Sequence, residues 1–298
     1  PEHTLFLRWT VHGFSIYHLS FSQCENCGLK TVISMNDIVA FYQDTEYHSP
    51  PRKIGWLTRR FPSASFYLKN FLVVWKASSA AKRGVYNAKS WHDSSVDIVR
   101  ILEETGCRFD VTGIKHFMGL DRPCIFIGNH MSTLETFVLP SLIMPHVSDL
   151  TYVIKRSLVD YPIFGNVVNT RDPIVVDRVN PRDDLRVVME EGAKRLEQGR
   201  SLIIFPQHTR AVEFDTRQFN SIGIKLAKKA NALVVPVALL TWAWSAGKKI
   251  KDFGPIHPER TIHFAFGEPF AVTGKGQEEQ QRVVDFIQQH LAAWNQPD

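Results

Sequence analysis

The sequence predicts an α/β fold: a mostly parallel central sheet flanked by helices, preceded by an N-terminal amphipathic helix pair. Beyond residue 105, short apolar runs alternate with amphipathic stretches, the pattern of a parallel sheet covered on both faces. Between about Ser63 and Glu104 the apolar residues instead recur every three or four positions, which is helical spacing. The chain has 298 residues, 44% of them hydrophobic and 22% charged. That suffices for a sizeable core in one large domain or two small ones.

Residues 1–34 show neither periodicity over a useful length, and Met35 begins a more ordinary sequence. One reading places 1–34 outside the natural protein, and peptides upstream of Met35 in the natively expressed protein would reject it. The second unit, 35–104, holds the helix pair. Phe66, Tyr67, Phe71, Val74 and Trp75, flanked by Lys69 and Lys76, form the first helix. Gly84 is placed as its break, and 93–104 as a second amphipathic helix capped by Asp93 or Ser94. The third unit, 105–298, carries strands at 107–112, 124–128, 151–154, 174–176, 201–205, 233–239 and 261–266. Its helices fall at 133–143, 181–198, 219–230 and 277–294, with Gly274 and Gly276 turning into the last.

The net charge of +5 is modest, so its distribution carries more information than its sum. Residues 47–92 contain Arg52, Lys53, Arg59, Arg60, Lys69, Lys76, Lys82, Arg83 and Lys89 and no acidic residue. Such a one-signed stretch suits an anionic membrane surface or nucleic acid, the alternative being a solvated basic face. Aromatics and lysines on one helix match a membrane interface, where each cation near anionic lipid contributes about 1 kcal/mol. A helix pair packed on the core explains the same residues. No recognised nucleic-acid motif is present.

Cys107 and Cys124 lie in apolar surroundings, and Cys24–Cys27 is a lone CxxC without a second pair or zinc-spaced histidines. A reduced protein without a metal site is expected. The longest uncharged stretch, 230–247, contains Asn231, Pro236, Thr241 and Ser245 and reads as a buried strand rather than a membrane span. No signal peptide is evident. The expected location is the cytoplasmic face of a membrane, held peripherally (monotopic).

CIFIGNHMSTLE, residues 124–135, runs from an apolar strand through a polar turn into a helix. Ligands bind at the carboxyl ends of such strands, where His130 falls. Histidine accepts a proton near neutral pH, and Glu135, early in the helix, could reach back to fix its tautomer. Ser132-x-x-Glu135 is equally a capping box, with Ser132 capping the helix and Glu135 bonding back to the Ser132 amide.

Further blocks follow in order. NHMSTLE resembles the NHxxxxD motif of the glycerophospholipid acyltransferases. KRSLVDYPIFGNVVNTRDPIVVDR (155–178) resembles that family's second block, IIFPQHTR (203–210) its F-P-E-G-T-R block, FNSIGIKLAKKANALVVPVAL (219–239) its helix and V-P-V, and IHFAFGEPF (262–270) its ending. The resemblance covers about 105–298, and its specificity comes from five ordered blocks. It implies that His130 deprotonates an acceptor hydroxyl and that Glu135 orients His130. It further implies that Lys155, Arg178, Gln207, His208, Thr209 and Arg210 serve the acceptor, the cations gripping a phosphate. For Lys155, Arg178 and Arg210 the alternative is a surface salt bridge. The implied reaction joins a fatty acyl group, from acyl-CoA or acyl-carrier-protein as co-substrate, to a lysophospholipid acceptor, most simply 1-acylglycerol-3-phosphate. No metal or organic cofactor is called for.

Two positions depart from the family. The usual aspartate is Glu135, one methylene longer, and the usual E-G pair is Gln207-His208. The second change removes a carboxylate and puts a ring where glycine is usual, implying a different loop path or a partly closed pocket. Two rival readings therefore stay open: the same chemistry on another lyso-lipid, and a lipid-binding relative that has lost catalysis.

Overall fold

In the computed structural model, residues 45–295 are described, with the exception of His208. The expectations for 1–34, for Cys24 and Cys27 and for His208 lie outside the described residues. The elements are, in chain order, β1 (Tyr47–His48), α1 (Trp56–Arg60), α2 (Pro62–Lys82), α3 (Ala88–Thr105), β2 (Phe109–Thr112), β3 (Cys124–Gly128) and α4 (Leu134–Ile143). There follow β4 (Leu150–Lys155), α5 (Arg156–Val159), α6 (Phe164–Asn169), β5 (Ile174–Val176), α7 (Pro181–Glu197), β6 (Ser201–Ile204) and α8 (Ile222–Ala230). The chain closes with β7 (Leu233–Leu240), β8 (Ile262–Phe266), β9 (Phe270–Ala271) and α9 (Gln277–Trp294).

The strands form one sheet in the order β1-β2-β8-β7-β3-β6-β4-β5, with β9 beside β8 on the same side of β7. From β7 through β3, β6 and β4 to β5 every pairing is parallel. The sheet is mixed elsewhere, because β8 and β9 run antiparallel to β7 and β1 runs antiparallel to β2. Side chains alternate across a strand, and β3 shows the result. Cys124 and Phe126 enter the core beneath α3 and α4, whereas Ile125 and Ile127 enter the core beneath α7, α8 and α9. Burial on both faces explains why β3 reads as an unbroken apolar run.

Helix α3 begins earlier than the sequence reading placed it. Its N-cap is Asn87, whose side chain accepts from the Ser90 amide at 3.0 Å, rather than Asp93 or Ser94, which lie inside the helix. Gly106, at φ 107°, ends it, in a left-handed conformation that costs glycine little. The aromatic stripe of α2 also divides. Phe66 is buried against Trp244, with ring centroids 4.8 Å apart, while Phe71 and Trp75 point outward. Helix α8 starts at Ile222, three residues later than expected, because Thr216–Gln218 form a separate 3-10 turn.

Helix α4 carries Glu135 and also contains Pro140, which has no N–H to give to the carbonyl of Thr136. The Tyr152 hydroxyl bonds that carbonyl at 3.3 Å. One residue on, the Ser95 hydroxyl stands between the Ser141 amide and the Phe137 carbonyl, accepting from the first and donating to the second. Hydroxyls from β4 and α3 thus repair the ladder that the proline breaks.

Candidate active site

β3 ends at Gly128, and the chain turns at once into the α4 N-terminus. Asn129 anchors the turn: its amide donates to the Leu239 carbonyl and accepts from the Leu239 amide, both at 2.9 Å. This ties the turn to β7 and places His130 above the carboxyl edge of the parallel strands. The His130 ring lies flat on Phe205, just past β6, with centroids 4.4 Å apart and planes 6° off parallel.

His130 Nδ1 is 2.9 Å from Oε1 of Glu135. Glu135 is fully buried, and both its oxygens are saturated. Oε1 also accepts from the amides of Met131 and Ser132 at 2.7 and 2.8 Å. Oε2 accepts from the hydroxyls of Ser132 and Thr241 at 2.9 and 2.7 Å. Burial alone would raise the carboxyl pKa, but hydrogen bonding to His130, the histidine's charge and the Thr241 hydroxyl outweigh it, and the net shift is downward. Glu135 is therefore an ionised acceptor at neutral pH. The proton shared with it sits on Nδ1, and Nε2 of the largely buried ring, 15% exposed, is left as the basic nitrogen.

The expected capping box forms only in half: Glu135 takes the Ser132 amide, but the N-cap is Thr133, without a side-chain cap bond, and Ser132 Oγ accepts from the Leu134 amide at 3.1 Å. The longer glutamate spans both the helix end and the imidazole.

Gln207 is buried, at 4% exposure, and its amide oxygen accepts from the backbone N–H of His130 at 2.5 Å. The Ala211 amide bonds the His130 carbonyl at 3.0 Å, so the loop after β6 clasps the His130 backbone at both ends. Thr209 is exposed at this loop's rim. Arg210 reaches Thr133 Oγ1 and forms an ion pair with Asp252 at 2.6 Å.

Lys155 and Arg178 stand on the same carboxyl edge, but not beside His130. β4 and β5 are the second and third strands from β3, so at about 4.8 Å per strand they lie roughly 10 and 14 Å to the side. Lys155 is exposed at the end of β4. Arg178 has a left-handed backbone, φ 58°, held by its amide on Asp184 Oδ2 at 2.9 Å. Burial lowers its pKa against the opposing pull of Asp184. The structure thus gathers His130, Glu135, Gln207 and Arg210 around one turn and sets Lys155 and Arg178 apart along the same sheet edge.

Phe205, Thr241 and Asp252 were not singled out from the sequence. Phe205 and Thr241 each follow a strand end, the place where ligands bind in such sheets, and that position could have nominated them. Nothing in the sequence marks Asp252.

A family model described as Acyltransferase matches residues 108–240. The chain is 28% identical over 206 residues to a 1-acyl-sn-glycerol-3-phosphate acyltransferase of Pseudomonas aeruginosa, covering 69% of this chain and 74% of that protein. A chloroplastic 1-acyl-sn-glycerol-3-phosphate acyltransferase of Brassica napus is 26% identical over 134 residues, 44% of this chain and 37% of that one. The crystal structure of the 1-acyl-sn-glycerophosphate acyltransferase of Thermotoga maritima superposes with a TM-score of 0.59 at 18% identity. It covers 81% of this chain and 98% of that one, and at that identity it establishes the shared fold.

Proposed function

We propose that the chain, which resembles the 1-acyl-sn-glycerol-3-phosphate acyltransferases in sequence and fold, acylates the free hydroxyl of a lysophospholipid bearing a phosphate, most simply 1-acylglycerol-3-phosphate, giving phosphatidate. The observation that carries this reading is the 2.9 Å contact between His130 Nδ1 and a buried, saturated Glu135. Relatives named for this reaction support the choice of acceptor.

With its proton on Nδ1, His130 offers Nε2 to the acceptor hydroxyl. The alkoxide forming as that proton leaves attacks the thioester carbonyl of acyl-CoA or acyl-carrier-protein. Collapse of the tetrahedral intermediate expels the thiolate, which takes the proton back from the imidazolium. Glu135 cannot move away and stabilises the imidazolium while it exists. Base assistance of this kind is worth about 10² to 10⁴ in rate. Arg210, with Thr209 beside it, is the acceptor-phosphate ligand nearest the base, and Lys155 and Arg178 extend the cationic edge. Gln207 serves through the His130 backbone. Transfer is direct, and the acid–base groups suffice without a metal or organic cofactor.

We place the protein at the cytoplasmic face of a membrane, held peripherally. Trp56, Leu57, Leu68, Phe71, Leu72 and Trp75 on α1 and α2, and Phe61 between them, are all exposed, Trp56 at 78% and Leu68 at 69%. Arg59, Arg60, Lys69 and Lys76 lie among them. Apolar residues this exposed, interleaved with cations, suit insertion among anionic headgroups. No helix among the described residues is long and apolar enough to cross a membrane.

The test is an acyl-transfer assay with a panel of lyso-lipids and both donor types. His130→Ala should abolish turnover; unchanged transfer in that variant refutes the mechanism. Failure with 1-acylglycerol-3-phosphate alone would leave the same chemistry on another lyso-lipid.

A further inference from the structure

Asp252 stands in a loop that no motif singles out, between Trp244 and Ile256, which pair across its base as an isolated antiparallel bridge. The loop is fastened to α2. The Tyr67 hydroxyl donates to the Gly254 carbonyl at 2.6 Å, the Ile256 amide donates to Ser63 Oγ at 2.9 Å, and the Tyr67 and Phe253 rings lie 5.7 Å apart. So held, the loop carries Asp252 to the mouth of the active site. Its Oδ1 is 2.6 Å from Arg210 and 3.3 Å from the Thr133 hydroxyl, and Arg210 bonds that same hydroxyl. Three segments distant in the chain meet in this triangle, and one of them is the turn between His130 and Glu135.

We propose that Asp252 is a positioning residue that holds the Arg210 guanidinium for the acceptor phosphate. The inference rests on the reading of Arg210 as a phosphate ligand.

A guanidinium has five N–H donors, more than Thr133 and Asp252 use, and its planar fork suits bidentate binding of phosphate. That fork is useful only when aimed. A long side chain loses conformational entropy on gripping a ligand, and one already fixed by two partners has lost it beforehand. The side chains of Arg210 and Asp252 are 25% and 30% exposed, and an ion pair that open contributes little to stability. Its effect therefore falls on binding geometry. The pair has no net charge, so attraction for an anionic headgroup comes from elsewhere; Lys248, Lys249 and Lys251 are exposed on the same loop. Asp252 supplies orientation and the lysines supply field.

The experiment measures kcat and acceptor KM for 1-acylglycerol-3-phosphate in mixed micelles at saturating donor. It compares wild type, Asp252→Ala, Asp252→Asn, Arg210→Ala and the double variant Asp252→Ala/Arg210→Ala. Losing a charged hydrogen bond to the binding arginine should raise KM about five- to tenfold in Asp252→Ala, with kcat within about twofold. Asp252→Asn keeps an acceptor oxygen in place and should recover most of the loss. In the Arg210→Ala background Asp252→Ala should add nothing, since its effect passes through Arg210. Asp252→Ser, too short to reach Arg210, carries the same expectation should the alanine variant not fold. An unchanged or lowered KM in Asp252→Ala, or an effect that persists in full without Arg210, overturns the proposal. Normal KM in Arg210→Ala overturns instead the reading of Arg210 as the phosphate ligand.

Discussion

Thr241, the residue after β7, donates its hydroxyl to Oε2 of Glu135 at 2.7 Å across a separation of 106 residues. The oxygen facing away from His130 is thereby pinned, and the carboxylate cannot swing off the imidazole. Thr241→Val keeps the shape and removes the donor. A hydrogen bond to a charged group is worth about 1.5–3 kcal/mol, so kcat should fall by about tenfold or more while acceptor KM stays within about twofold. Single-turnover kinetics would show this, and an undiminished chemical step would mean that the Ser132 contact alone holds the carboxylate.

The lowered pKa of Glu135 sets a pH signature of stability. Its folded value lies below the ordinary 4.5, so the stabilisation it provides is fully present above 4.5 and is lost as pH falls through the folded value. Glu135→Gln should remove that dependence and lower kcat by about 10² to 10⁴. Denaturant titrations of both proteins between neutral pH and about pH 3 would compare the slopes. Equal slopes would mean that Glu135 titrates normally.

Gln207 accepts the His130 amide as a neutral oxygen. Gln207→Glu retains an acceptor of the same length and should keep most activity. Gln207→Ala leaves a part-buried N–H without its partner, at a cost of about 1–3 kcal/mol, and should lower both melting temperature and kcat. Comparable activity in all three proteins would show that the Ala211 contact suffices to hold the turn.

Membrane attachment through α2 predicts that Phe71→Asp/Trp75→Asp abolishes flotation with anionic liposomes. Both side chains are already exposed, so melting temperature should change little. Turnover of detergent-dispersed substrate should persist. Flotation equal to wild type would move the contact surface elsewhere.

Much of the fold was legible because its signals are local. β3 and β5 fall at the residues the apolar runs mark, and α9 spans the predicted 277–294, bounded by the turn at Gly274 and Gly276. β1 and β9, two residues each, are too short to display a period, and only their pairing with β2 and β7 makes them strands. The start of α3 was misplaced because Asn87, Asp93 and Ser94 are all cap-forming residue types. What selects Asn87 is packing of the first turns against the rest of the molecule: Trp91 lies 5.8 Å from the Tyr152 ring and His92 is buried. The amphipathic reading of α2 found its apolar residues but not which of them meet the core.

His130 and Glu135 are five residues apart, near enough for the sequence by itself to nominate the pair and, with the order of blocks that follows, the family resemblance. The contacts that make the pair rigid have other origins. Gln207 reaches the His130 amide from 77 residues away, Thr241 reaches Glu135 from 106, and Asp252 meets Thr133 from 119. Only the tertiary structure decides these, because a hydrogen bond depends on distance and angle in space, and a parallel sheet brings together strand ends that the chain keeps far apart.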